Sequence, residues 1–111
     1  MERRAVSIVQ PDVTRTGGIL ESKIIAAMAD AWGLKWAPHF YSNAVGLAAT
    51  LHLLASTPGG LFLEYDATEN ALRDCLLKQP FSIHDGYMDV PELPGLGVEL
   101  NEDAVREYAI R

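Results

Sequence analysis

QPDVTRTGG, residues 10–18, is the stretch on which the reading of this chain turns. It follows the apolar run Ala5, Val6, Ile8, Val9 and precedes an amphipathic pattern that starts at Ile19. That succession marks the end of a buried strand turning into a helix. In α/β proteins active sites form outside the carboxyl ends of parallel strands. Asp12 falls there, with a charge that a purely structural turn does not require. Two later stretches repeat the arrangement: Lys35 to Pro38 leads into His39, and Leu61 to Leu63 leads into Glu64. Asp12, His39 and Glu64 are thus expected at the same end of three successive strands.

The segments between them fit this pattern. Residues 5–9 carry apolar side chains on both faces, as a strand covered on both sides does. After the Gly17-Gly18 turn, Leu20, Ile24, Ala27, Met28 and Ala31 recur at spacings of three and four and predict a helix over Ile19 to Trp32. Gly33 supplies its stop. Leu34 to Ala37 read as a second strand, ended by Pro38, which has no N–H and keeps its predecessor out of the helical region. The loop PHFYSN runs into a second helix over about Ala44 to Ser56, with Ser42 or Asn43 as N-cap. Its residues are apolar nearly all round, so cover is expected on more than one side. Thr57 to Gly60 break it, and Leu61 to Leu63 read as the third strand. Strand, helix, strand, helix, strand with short connections specifies parallel strands and right-handed crossovers.

Beyond Glu64 the pattern changes. A short helix is expected around Asn70 to Leu77, then a hairpin turn at Asp85-Gly86 between two strand-like pieces. A PELPGLG loop follows, and Asn101 caps a last helix with Glu102 and Asp103 in its first turn, where acidic groups suit the helix dipole. This hairpin and helix tail is expected to pack elsewhere than on the sheet.

Composition sets limits. With 111 residues the chain buries one modest core, being one domain or part of one. A net charge of −6 with no basic stripe disfavours nucleic acid or an anionic membrane as partner. The single Cys75 excludes an internal disulfide and cysteine-rich metal motifs and fits a reducing cytoplasm. Only about five apolar positions precede Gln10, too few for a signal peptide or a membrane span. A cytoplasmic location follows as the expectation.

The runs VQPDVTRTGGI, KWAPHF, LFLEYD and HDGYMDVPELPGLGVEL resemble, in this order, the C-terminal part of the mandelate racemase and muconate lactonizing enzyme family, within the enolase superfamily. The likeness covers almost the whole chain. It implies a partial (β/α)8 TIM barrel: residues 1–77 hold the sixth to eighth strands, and residues 78–111 return to a capping domain built mainly from a preceding part. A full barrel takes about 250 residues, so the chain reads as a fragment or a truncated reading frame.

The resemblance also implies roles. Asp12 and His39, 39 − 12 = 27 residues apart, match the dyad in which histidine moves the proton alpha to a carboxylate. Glu64 matches the eighth-strand glutamate that hydrogen-bonds the substrate carboxylate as its enediolate forms. An imidazole with an unperturbed pKa of about 6.5 can accept and return protons near neutrality, and a partner carboxylate fixes its tautomer. A donating glutamic acid must stay protonated, which calls for burial or a nearby negative charge. The family's Mg²⁺ ligands and a lysine-bearing strand precede the region present here. With that cation absent a dianionic enediolate lacks stabilisation, so the chain alone is expected to be inactive. The implied substrate is an acid sugar, turned over by a dehydratase or racemase, and a homo-oligomer is expected.

Each candidate has a plainer reading. Asp12 can serve the turn and pair with Arg15, and His39 can be a loop histidine bonded to backbone. His52 and His84 are assigned to structure, Trp32 and Trp36 to packing. Tyr41, Tyr65 and Asp66 lie near the expected mouth. Two further functional readings stand beside the first. One is a non-catalytic α/β module that self-associates through open strand edges and the apolar second helix. The other makes Asp12, His39 and Glu64 ligands of a metal in a different barrel hydrolase.

Overall fold

The computed structural model describes Arg3 and residues 5–110. Ile8–Val9 (β1) and Lys35–Trp36 (β2) pair in parallel, Ile8 beside Lys35 and Val9 beside Trp36. The crossover between them is the helix Ile19–Ala31 (α1), as a parallel pair requires. Past the ladder the two chains stay bonded: Ala37 N–H donates to Val9 O at 3.0 Å and His39 N–H to Pro11 O at 3.1 Å. A second helix, Ala44–Ala55 (α2), follows. The architecture is a small α/β unit on a two-stranded parallel sheet.

The expected third strand is not a regular one. Residues 60–64 run beside β2 in parallel, held by a bridge between Trp36 and Gly60 and by Leu61 N–H to Trp36 O and Glu64 N–H to Pro38 O, at 3.0 and 3.1 Å. No ladder forms between these two bonds because Pro38 has no N–H to give. The third segment therefore follows the expected direction without becoming a strand.

α2 meets its expectation of broad cover. Eight of its residues are buried, among them Leu47, Leu51 and Leu53. Asn43 caps it, accepting from Val45 and Gly46 N–H at 3.0 Å each. Two clusters form the core. Val13, Ala26, Trp36, Ala49 and Leu53 pack between α1, α2 and the sheet, and Phe40, Leu47 and Leu51 pack with Leu63, Tyr65, Phe81 and Met88. Trp36 is fully buried and donates from Nε1 to Pro58 O at 2.8 Å, in agreement with a packing role.

α1 forms where the spacing placed it, ending at Ala31 rather than Trp32. Its apolar stripe faces outward: Leu20 is 70% exposed, Met28 50% and Ile24 44%, and Ala27 and Ala31 are exposed too. The buried residues are Ser22, Ala26 and Ala29. Ser22 is about 200° from Leu20 around the helix, so the sheet receives the small face and solvent the large one. Val6 and Ile8 in the expected strand over 5–9 are exposed as well, as is Trp32.

The tail keeps its order but shortens. Ala71–Asp74 (α3) is one turn capped by Asn70 rather than a helix to Leu77. Leu77 instead bridges antiparallel to Leu100. His84 and Tyr87 exchange two backbone bonds of 2.9 Å around Asp85 and Gly86, whose φ values of 52° and 81° are those of the expected two-residue hairpin turn. Asn101 caps the last helix, Glu102–Tyr108 (α4).

Candidate active site

The backbone register brings the three expected residues to one end of the sheet. His39 N–H bonds the carbonyl beside Asp12, and Glu64 N–H bonds the carbonyl beside His39. Asp12 and His39 thus each follow a carbonyl bonded to the next segment, and Glu64 is the residue bonded to the second of them. The loop carrying His39 is anchored on both sides by Pro38 and Phe40, both fully buried.

Asp12 is buried, with both carboxylate oxygens engaged. Its Oδ1 accepts the Thr14 N–H at 2.8 Å and the Thr14 hydroxyl at 2.7 Å. Its Oδ2 lies 2.9 Å from His39 Nδ1 and 3.3 Å from Arg15 Nε. Burial pushes the Asp12 carboxyl up, but the Thr14 hydroxyl, His39 and the Thr14 N–H outweigh it and hold the group below the ordinary carboxylate range. The carboxylate is therefore ionised near neutrality and has no proton to give, so the bond requires Nδ1 to carry the hydrogen. Neutral His39 is then left with its lone pair on Nε2, which has no hydrogen bond among the described residues. The turn role weighed for Asp12 also holds: Arg15 and Thr16 N–H bond its carbonyl at 2.9 Å.

Glu64 accepts from Gln10 Nε2 at 3.0 Å through Oε2. Gln10 and Asp12 are two residues apart on the β1 extension, hence on one face of it. One strand end thereby reaches both later segments, Asp12 bonded to His39 and Gln10 to Glu64. Sequence reasoning passed over Gln10 and Thr14. For Thr14 a signal existed, since Asp-x-Thr favours a hydroxyl and an N–H closing on the aspartate. The same motif closes Asp66 on Thr68, with bonds of 2.9 and 2.6 Å. Arg73, also passed over, is buried, donates to Asp66 O and Asp74, and lies 5.1 Å from the Tyr65 ring centre. Nothing in the spacing of Gln10 and Glu64 announced their bond.

Tyr41 lies beside His39, the two rings stacked with centres 5.2 Å apart. His52 and His84 are away from it, bonded to Leu96 O and the Ser82 hydroxyl. A metal shared by Asp12, His39 and Glu64 does not fit. Asp12 is committed to three side chains, and among the described residues no three His, Cys, Asp or Glu groups come together to hold an ion. No helix among the described residues is long and apolar enough to cross a membrane.

Known proteins share this arrangement of elements. Residues 1–104 match the enolase C-terminal domain-like family. D-galactarolactone cycloisomerase of Agrobacterium fabrum is 36% identical over 112 residues, spanning 94% of this chain and 30% of the relative. D-xylonate dehydratase of Haloferax volcanii is 36% identical over 110 residues, spanning 99% and 27%. The solved structure of an enolase-superfamily member from Polaromonas sp. JS666 superposes with a TM-score of 0.89 at 35% identity, covering 99% of this chain and 29% of that one. The mandelate racemase/muconate lactonizing enzyme from Jannaschia sp. CCS1 gives 0.85 at 34%, covering 98% and 28%. The chain spans less than a third of the length of these relatives. It belongs to the enolase C-terminal domain-like family, among the mandelate racemase and muconate lactonizing enzymes of the enolase superfamily.

Proposed function

We propose that this chain carries the proton-transfer end of an acid-sugar dehydratase or cycloisomerase, as the sixth to eighth strands of a (β/α)8 barrel. The observation that carries the reading is the 2.9 Å contact of His39 Nδ1 with an Asp12 carboxylate held ionised by Thr14 and His39. His39 Nε2 takes the proton alpha to the substrate carboxylate, and Asp12 stabilises the imidazolium that results. Asp12 also fixes the tautomer, so that the accepting nitrogen is the one without a protein partner. Glu64, oriented by Gln10, hydrogen-bonds the substrate carboxylate. In dehydration His39 can return its proton to the leaving hydroxyl; in isomerisation it returns it to carbon.

The enediolate dianion formed after proton removal needs a cation. The family's Mg²⁺ supplies that charge, but the residues of this chain do not fit as its ligands, so it would be held by parts of the barrel that this chain does not contain. The chain by itself is accordingly inactive. The uncovered Leu20, Ile24 and Met28 support this reading, as apolar surface suited to a preceding βα unit. The same surface favours a second reading, a non-catalytic module that self-associates, in which removing the stripe yields monomers and no activity is gained by any joining.

A chimera tests the first reading. The corresponding segment of D-xylonate dehydratase is replaced by this chain, and exchange of the substrate alpha proton for deuterium is followed. Exchange is expected, and His39→Asn is expected to slow it by about 10²–10⁴-fold. A folded chimera that exchanges no proton, or one indifferent to His39→Asn, would contradict the proposal.

A further inference from the structure

We propose that Tyr41 is a positioning residue for His39, its ring fixing the plane of the imidazole and closing one of its faces. The inference rests on the reading of His39 as the proton-transfer group and deepens it. A general base delivers its lone pair in the plane of the ring, so the tilt of the imidazole decides the direction in which Nε2 can take a proton. The bond to Asp12 does not set that tilt. Rotation of a histidine ring about its sp³–sp² bond is broad, and Oδ2 of Asp12 is shared with Arg15 at 3.3 Å, so an imidazole swivelling about its Nδ1 contact keeps a partner.

The second constraint is Tyr41. Its ring lies 5.2 Å from the imidazole, centre to centre, with 17° between the planes, a stacked pair. The backbone makes this contact systematic rather than incidental. Buried Phe40 separates half-buried His39 from exposed Tyr41, the alternation of a pair two residues apart on one side of the chain. Phe40 is fully buried against Leu47 and Leu51, and Asn43 begins the well-covered α2 two residues after Tyr41. Tyr41 itself is 49% exposed, and its hydroxyl has no hydrogen bond among the described residues. The ring face, not the hydroxyl, is what it contributes to His39. Substrate then meets Nε2 at the edge of the ring, in the plane that the stack with Tyr41 sets.

The test uses this chain as it is, by nuclear magnetic resonance. Stacking places the His39 Hε1 and Hδ2 protons upfield of their counterparts in His52 and His84, which are bonded away from any such partner. Tyr41→Ala is expected to abolish that displacement and to raise the mobility of the imidazole read from ring ¹³C relaxation, with the Asp12-held Nδ1–H tautomer unchanged, while Tyr41→Phe retains the displacement and the low mobility. The Trp36 Nε1–H signal, held by Pro58 O, reports that each variant is folded. His39 protons without upfield displacement in the unaltered chain would overturn the proposal, whether or not Tyr41→Ala folds. So would a folded Tyr41→Ala with His39 unchanged, or a failure of Tyr41→Phe to retain the wild-type signature. Failure of the underlying reading has a different mark: Asp12→Ala would leave the tautomer unaltered while the stacking shift persists.

Discussion

α1 and α2 are the two crossover helices of successive units, alike in length, yet one is covered and the other is half bare. α2 buries eight of its 12 residues and touches both core clusters. α1 buries three of 13, all small, and shows Leu20, Ile24 and Met28 to solvent. The difference follows from position in the sheet. α2 lies over β2 with α1 on one side and the tail on the other, whereas nothing among the described residues lies beyond α1 and the open side of β1. The site belongs to the covered half: His39 leads into α2, and the Asp12 segment is pinned by Val13 in the same core. A chain spanning less than a third of its relatives can therefore keep the geometry of a strand-end site while leaving its own flank apolar and exposed.

Substitutions can break or sharpen this contrast. The largest loss is expected from Leu53→Ala, which empties a fully buried site in α2 and should cost about 2–5 kcal/mol in urea unfolding of the chain. A loss under about 1 kcal/mol would mean that the α2 core is loosely packed, and the contrast with α1 would fall. Asp12→Ala comes next, at about 2 kcal/mol near neutrality, because it leaves the Thr14 and His39 donors without their charged acceptor. Its pH dependence has a definite sign. A carboxyl lowered in the folded state stabilises fully above its unfolded pKa of about 4, and that contribution fades as pH falls below it. The gap between wild type and Asp12→Ala should therefore narrow on acidification, and a gap that widens would refute the assignment. Asn43→Ala removes the two N–H acceptors at the start of α2 and should cost about 1 kcal/mol. Leu20→Gln on the bare face of α1 should change stability by less than about 0.5 kcal/mol, and a larger loss would show that the stripe is covered in solution.

Much of this was legible in the sequence, for physical reasons that differ from part to part. The positions of Asp12, His39 and Glu64 could be read because strand direction and short connections fix which ends meet, and the backbone bonds at Pro11 and Pro38 follow from that register. Caps such as Asn43 and Asn101 and the Asp85-Gly86 turn carry local chemistry that needs no tertiary context. The facing of α1 was not legible: periodicity gave its stripe, but which side meets the sheet depends on whether large or small residues fit beneath, and here Ser22, Ala26 and Ala29 do. The weak third segment escaped for a similar reason, since Pro38 acts on its neighbour across the sheet as well as on its own strand. Gln10 to Glu64 joins residues 54 apart, and no local signal marks such a pair.

The central claim is that the chain holds a preformed proton-transfer pair, with Asp12 ionised and His39 protonated on Nδ1. Ring ¹⁵N spectroscopy of neutral His39 in the isolated chain tests it directly. A predominant Nδ1–H tautomer that is lost in Asp12→Ala is the expected result; a predominant Nε2–H tautomer, or one indifferent to Asp12→Ala, would contradict it.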